Sequence, residues 1–182
     1  MTLTSNDANL FYETWLPLLE YVNQTYKVSS KLSKIAQTTN PNVEELMKVV
    51  GKLWNDVSVI DTYISVKGNL LTQEQIELLK GWKRFKTGRF VLERHLKSGS
   101  IFISVKDEST YLVSGIVSPW VDMLYQARLP LLLEVTFIPF KDKIISDGFA
   151  TPFHLSFGSN MKEVLKQNYL SAKKENRIIE RL

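Results

Sequence analysis

Cysteine is absent from all 182 residues of the chain. Disulfide bonds, thiolate nucleophiles and cysteine-based zinc sites are therefore excluded together. Histidine is almost as scarce, with only His95 and His154, and no cluster of imidazoles and carboxylates indicates a metal site. A chain without cysteine is typical of a reducing compartment, so we expect a cytoplasmic protein that holds no metal ion and no cofactor.

Long apolar runs are missing as well. A helix that spans a bilayer needs about 20 apolar residues, whereas the most apolar stretch, residues 129–140, is interrupted by Glu134 and two prolines. The N-terminus has neither the cationic start nor the apolar centre of a secretory signal. We therefore expect a soluble protein with no membrane partner.

Glycine-rich phosphate loops are also lacking, because the eight glycines are scattered along the chain. The apolar share of 44% is ordinary for a globular protein with a buried core. The net charge of +4 is concentrated at the end, since residues 158–182 hold six Lys or Arg against three Glu. Such an excess fits either a polyanionic partner or a contribution to solubility.

The first half of the chain has the apolar spacing of amphipathic helices. Helix starts are predicted at Asn6-Asp7, at Asn40-Pro41, and at Thr72 with Gln75 as a capping box. A further short helix is predicted before residue 68. Pro17 lies inside the first helical pattern and predicts a kink or a restart there.

The hydrophobic period changes near position 86 from about 3.6 residues to 2. Short β-branched or aromatic runs follow, separated by turn residues, and they predict strands at 89–96, 101–105, 111–117, 131–140, 143–147 and 153–157. A short helix at 120–126 interrupts them. A last helix begins at Ser159-Asn160 and ends in a charged tail that we expect to fray.

These halves predict an α+β protein. Residues 1–85 form a helical N-terminal lobe, which packs on a bent antiparallel sheet in residues 86–182. The sheet could curl into a barrel, and the C-terminal helix closes it. The boundary is a change of period and not a linker, so the two lobes are expected to share one core.

Five segments of the chain are similar to stretches that we expect in the same order in a known group of proteins. They are LWNDVSVIDTYI, GWKRFKTGRFVLERHL, SIFISV, IPFKDKIISDG and HLSFGSNMKEVL, which lie within residues 53–172. In these segments the chain resembles a group of uncharacterised bacterial proteins, some of which carry an additional metal module of the SEC-C type. The module is built on cysteine and histidine, so this chain cannot hold it. The resemblance implies no particular activity.

Glu134 is the first candidate for chemistry, because strand alternation places it with Thr136 among large apolar side chains. A buried carboxylate has a raised pKa and can act as an acid or base. The alternative is a solvated Glu134, or one paired with an arginine across the sheet. Asp147, which begins an Asp-Gly turn signal, and His154, close to Ser156, complete the candidates for a hydrolase-like site.

The segment 80–94 is basic and aromatic. Its candidate nucleic-acid contacts are Lys80, Lys83, Arg84, Lys86 and Arg89, and the rings between them are Trp82, Phe85 and Phe90. Cations beside exposed rings suit single-stranded nucleic acid through phosphate pairing and base stacking. The alternative is that the rings belong to the core and the cations only extend to solvent.

The sequence favours a non-enzymatic interaction or adaptor module with a protein partner. Its binding surface would be the helical lobe or an exposed face of the sheet. An exposed subset of Tyr12, Trp15, Tyr26, Trp54 and Trp120 could form an apolar patch, and the alternative is that these rings belong to the core. Nucleic-acid binding by residues 80–94 is the alternative, and a hydrolase-like enzyme using Glu134 and Asp147 is a third hypothesis. The sequence leaves the oligomeric state open.

Overall fold

The structure, a computed structural model, describes residues 1–32, 34–35 and 42–182. These residues form two compact units, one from Ser5–Lys83 and one from Arg84–Leu182 together with Met1–Thr4. The first is all helical and the second is built on strands, so the predicted α+β class is confirmed. Among the described residues, no helix has both the length and the hydropathy needed to cross a bilayer.

The helical unit contains four α-helices within the described residues. They are α1 (Ser5–Tyr26), α2 (Val43–Asn55), α3 (Val59–Lys67) and α4 (Gln73–Trp82), and a short 3-10 turn (Gly68–Leu70) follows α3. An aromatic cluster packs at its centre. The Trp15 ring lies 5.5 Å from Trp82 and 5.9 Å from Phe11, between ring centres, and all three side chains are buried.

Pro17 does not interrupt α1, which is one continuous helix. Proline lacks the N–H that would bond to the carbonyl of Glu13, four residues earlier. Gln75 of α4 donates its side-chain Nε2 to that carbonyl instead, over 3.5 Å. The predicted restart is absent because the helix keeps its packing and a neighbouring helix supplies a donor.

Side-chain caps fix the starts of α2 and α4. Asn42 Oδ1 accepts a hydrogen bond from Glu45 N at 3.1 Å, whereas the predicted start at Asn40-Pro41 lies outside the described residues. The predicted capping box is confirmed. Thr72 Oγ1 accepts from Gln75 N at 3.2 Å, and Gln75 Oε1 accepts from Thr72 N at 2.9 Å.

The capping box gives a first testable expectation. Thr72→Ala should lower the free energy of unfolding by about 1 kcal/mol, because the Gln75 N–H loses its acceptor at the helix start. Thr72→Ser keeps the acceptor and should stay within about 0.5 kcal/mol of the parent. Urea unfolding followed by circular dichroism measures both. Equal losses for the two variants would mean that the cap has no role.

The second unit contains a ring of five strands. They are β1 (Lys86–Leu96), β2 (Gly99–Ser104), β3 (Thr110–Ser114), β4 (Leu131–Phe140) and β5 (Lys143–Pro152). Their order is β1-β2-β3-β5-β4, and β4 pairs with β1 to close the ring. Four pairings are antiparallel as predicted, but β3 and β5 are parallel, so the sheet is mixed. The parallel pair arises because residues 115–130, with the short helix α5 (Trp120–Met123), cross from the end of β3 to the start of β4.

Strand alternation divides the apolar side chains of the ring between two clusters. One contains Phe90, Phe102 and Phe137, with Trp120 of α5 packed on the Phe102 ring at 5.0 Å. The other contains Val91, Ile101 and Ile103 and packs against the C-terminal helix α6 (Ser159–Lys174).

The predicted strand at 153–157 is wrong, because β5 runs further than expected and ends at Pro152. Residues 147–149 all lie opposite Thr136 of β4. Gly148 has a φ of +95°, which an L side chain rarely adopts. The Asp-Gly pair therefore forms a bulge inside a long strand instead of the predicted turn.

The C-terminal tail is bound to the sheet and does not fray as predicted. Ile179 N donates to Thr110 O at 2.8 Å, and Leu112 N donates to Ile179 O at 3.0 Å. β5 pairs only with Val113 and Ser114, which leaves this part of β3 open. The tail occupies the open edge, and the Ile179 side chain joins an apolar cluster of the ring.

Candidate functional site

Glu134 is exposed on β4, opposite Arg89 of β1 and Thr151 of β5. Its predicted companion Thr136 is buried and donates to Thr87 Oγ1 at 2.9 Å. A general acid needs burial or a like charge to hold its proton at neutral pH. Glu134 is exposed and not buried as expected, so the solvated alternative describes its position.

Asp147 is buried, with 2% of its surface exposed, but it lies within the β5 bulge. Its Oδ1 accepts a hydrogen bond from Phe149 N at 3.0 Å. This contact stabilises the backbone around Gly148. The carboxylate therefore has a structural role within the bulge.

His154 and Ser156 are both exposed and follow the end of β5, outside any strand. A different pair was missed by the sequence analysis. His95 Nδ1 and Ser100 Oγ lie 2.8 Å apart, at paired positions of β1 and β2. Burial lowers the pKa of His95. Ser100 is only 3% exposed, so a substrate has no access to its hydroxyl.

A catalytic triad would also need a carboxylate on the imidazole. Glu93, two residues before His95, forms an ion pair with the neighbouring Arg94, which raises the pKa of that guanidinium. The His95–Ser100 pair therefore links two strands and does not present a nucleophile. Within residues 1–32, 34–35 and 42–182, no three His, Asp or Glu side chains lie close enough to hold a metal ion.

The basic segment is divided between the two units after Lys83. Lys83 Nζ lies 2.6 Å from Asp61 Oδ2, and Arg84 Nε donates to Leu182 O at 3.3 Å. The Arg89 guanidinium lies over the Phe153 ring at 5.0 Å, whereas Lys80 and Lys86 are exposed.

Base stacking requires exposed rings, and two of the three rings in this segment are buried. Trp82 is fully covered and Phe90 is 4% exposed, while Phe85 is partly buried. The segment therefore supplies cations for phosphate contacts but little of the aromatic surface that single-strand binding uses.

The aromatic side chains considered for partner binding are mostly covered. Trp15 and Trp120 are buried, and Trp54 is partly buried. Tyr26 donates to Asp56 Oδ2 at 2.6 Å, and this hydrogen bond raises the pKa of the phenol. Tyr12 remains 36% exposed. Of the five side chains that the sequence suggested, only Tyr12 is exposed, so these five do not form an exposed patch.

A concave surface lies in the second unit, between the ring, α6 and the C-terminal tail. We call it the C-terminal groove, and its cavity volume is about 810 Å³. Four apolar side chains and a tyrosine form its floor, and five polar side chains line it towards solvent. The floor is Leu96, Ile101, Leu112, Ile178 and Tyr169, and the polar set is Ser98, Lys173, Asn176, Glu180 and Arg181.

The bound tail creates this groove. Ile179 pairs with β3 and its side chain joins the cluster inside the ring, so Ile178 and Glu180 lie on the opposite face and line the cavity. Lys173 comes from the last turn of α6, and Tyr169 lies one turn earlier. Two parts of the chain that are distant in sequence, residues 96–112 and 169–181, thus meet at one surface.

The charges of the groove are unevenly compensated. Elsewhere in α6 and the tail, Lys166 lies 3.4 Å from Glu163, and Arg177 lies 2.6 Å from Glu175 and lowers the pKa of that carboxyl. In the part of the chain that the structure describes, Lys173 and Arg181 form no ion pair. With Glu180, the groove carries one excess positive charge.

The aromatic ring of the groove is already covered. Tyr169 is 3% exposed, and the Arg94 guanidinium lies over its ring at 4.2 Å. The groove therefore offers a ligand aliphatic side chains, two cations, a carboxylate, an amide and a hydroxyl, but its lining residues present no free aromatic face.

Comparison with known proteins finds no matching family model, no matching curated protein and no matching solved structure. The resemblance to the bacterial group consequently stays a prediction, and function must be argued from the surface of this chain alone.

Proposed function

We propose that the protein is a non-enzymatic interaction module that binds an acidic, apolar segment of a partner protein in the C-terminal groove. One observation carries the proposal: Lys173 and Arg181 lie unpaired beside a floor of aliphatic side chains. A ligand must therefore contact both the aliphatic floor and the two cations. A peptide segment with a Leu, Ile or Phe side chain next to Asp or Glu does so.

The aliphatic floor supplies affinity. Covering a leucine or phenylalanine side chain contributes about 2 kcal/mol in apolar burial. Ile101 is fully buried, and Leu96, Leu112 and Ile178 are partly exposed, so a ligand side chain can contact them. Many weak binding modules depend on one such anchored side chain.

The cations supply selectivity. Arginine can bind a carboxylate through two parallel hydrogen bonds, and a nearby lysine adds attraction without fixed geometry. An acidic segment is therefore favoured over a basic one. Lys173 and Arg181 are exposed to solvent, so their attraction for an acidic ligand should weaken as salt is added.

Nucleic acid is a poorer ligand for this groove, because bases need an open aromatic face and the Tyr169 ring is covered by Arg94. Binding through the segment 80–94 stays an alternative hypothesis. It would require retention of a labelled single-stranded oligonucleotide at about 50 mM salt, lowered by Lys83→Glu with Arg84→Glu.

Two further expectations from the sequence belong to the proposal. The absence of cysteine supports a cytoplasmic location. The segments within residues 53–172 support a relation to the bacterial group that they resemble.

The test uses peptides selected from a random 12-residue phage library on the immobilised full-length chain. We expect an enriched class that combines Asp or Glu with an aliphatic or aromatic residue. Lys173→Glu with Arg181→Glu should weaken the binding of such a peptide at least tenfold in fluorescence anisotropy, because both attractions become repulsions.

The matched control reverses two charges of the same segment that do not line the groove. Lys162→Glu with Lys174→Glu has the same net charge as the test variant and should retain affinity within about threefold. Equal weakening by both pairs would show that net charge alone attracts the peptide. An acidic class that never appears would also contradict the proposal.

A further inference from the structure

A second concave surface lies in the helical unit, which we call the helical groove. It has a cavity volume of about 510 Å³ and is formed by α1, α3, the 3-10 turn with Leu71, and the first turn of α4. Pro17, Tyr21 and Tyr63 contribute apolar surface, and Leu70 lies at its edge. This surface is separate from the C-terminal groove in sequence and in charge.

The side chains that line the helical groove have a charge balance opposite to that of the C-terminal groove. Glu13 and Glu20 line the groove from α1, seven residues apart and therefore on one helix face. Lys67 is the one cation among the described lining residues. The helical groove thus has one excess negative charge, whereas the C-terminal groove has one excess positive charge.

The aromatic and aliphatic parts of this groove suit apolar side chains. The Tyr21 and Tyr63 rings lie 5.1 Å apart and are tilted by 50°. Tyr63 is 5% exposed, so its ring forms a fixed wall. Leu70 is 73% exposed at the edge, and Val66, one turn before it, is 56% exposed. Apolar surface of this kind is usually covered by a ligand or partner when it adjoins a cavity.

We propose that the helical groove binds a second, basic partner segment, in which an apolar side chain is followed or preceded closely by Lys or Arg. The apolar side chain packs between the tyrosines and Leu70, and the cation lies near Glu13 and Glu20. Charge complementarity selects this occupant, since an acidic segment would meet two carboxylates. The chain is then an adaptor with two grooves of opposite preference.

The same phage selection on the full-length chain provides the probe. We expect a second enriched class, rich in Lys or Arg with an apolar residue, besides the acidic class. A synthetic peptide from this class should lose at least tenfold in affinity when Glu13→Gln and Glu20→Gln are combined, because the attraction is removed without a change in side-chain size.

The control removes two carboxylates of the same unit that do not line the groove. Glu44→Gln with Glu77→Gln should keep the affinity within about threefold. Leu70→Asp provides an independent variant. Leu70 is highly exposed, so the fold should tolerate the change. The affinity of the basic peptide should also fall at least tenfold in this variant.

Three results would overturn the inference. A selection that yields no basic class would do so, as would a basic peptide that binds the Glu13→Gln, Glu20→Gln chain as tightly as the parent. Self-association of the parent in sedimentation, lost in Leu70→Asp, would assign the groove to a second copy of the chain instead. Lys173→Glu with Arg181→Glu should leave the basic peptide unaffected, so failure at one groove is distinguishable from failure at the other.

Discussion

Replacing Phe137 with alanine is expected to lower the free energy of unfolding by about 4 kcal/mol. The side chain is fully buried inside the ring, with its centroid 4.4 Å from that of Phe90 and 5.1 Å from that of Phe102. Tyr111 is a third neighbour at 5.9 Å. Alanine removes the ring and leaves a cavity, because strands on every side limit how far the site can collapse.

Guanidinium unfolding followed by tryptophan fluorescence measures the loss. Val105→Ala is a suitable reference, since Val105 follows β2, is 55% exposed and should change the free energy of unfolding by less than about 0.5 kcal/mol. A Phe137→Ala loss below about 1 kcal/mol would mean that the ring is not packed around this side chain.

The second large effect is expected for Gly115→Ala, at about 3 kcal/mol of lost stability. An added Cβ would lie 2.0 Å from the Ser118 carbonyl oxygen and 3.1 Å from Pro119 Cα. Both are backbone atoms, so no side-chain rotation relieves the clash. Gly115 N also donates to Met1 O at 3.1 Å, and Leu3 N donates to Gly115 O at 3.2 Å. Moving this residue therefore also disturbs its backbone hydrogen bonds with Met1 and Leu3.

Gly51→Ala is the matched control for that prediction. Gly51 lies in α2, and an added Cβ meets no atom within 4 Å. Alanine in a helix interior is favoured over glycine, so this variant should gain about 0.8 kcal/mol. Urea midpoints of the two variants should move in opposite directions. A tolerated alanine at 115 would show that the 115–119 segment does not approach as closely as described.

The sequence predicted those features that are determined by residues close together in the chain. The Thr72–Gln75 capping box and the strand 131–140 depend on neighbours within a few residues, and both are found. The Asp-Gly pair at 147–148 was misread because its local signal fits a turn and a bulge equally well, and only the pairing with β4 decides between them. The parallel contact of β3 with β5 likewise depends on how a distant hairpin returns to the sheet.

The candidate grooves could not be predicted, because they also depend on contacts between segments that are distant in the sequence. Leu96 is distant in the sequence from Tyr169 and Arg181, and the three meet because α6 packs on the ring and Ile179 occupies the open edge of β3. The sequence analysis selected Glu134 as its first candidate because this carboxylate lies within an otherwise apolar strand. The structure gives it an exposed position instead, because β4 turns its other face to the ring interior.

The most direct test of the account is to map where a selected acidic peptide binds, by titrating it into the ¹⁵N-labelled full-length chain and recording amide chemical shifts. We expect the largest changes at residues 96–98, at Leu112 and at residues 176–181, with small changes in the helical unit. Shifts confined to the basic segment 80–94, or no saturable shifts in the groove, would contradict the claim that the C-terminal groove is the binding site.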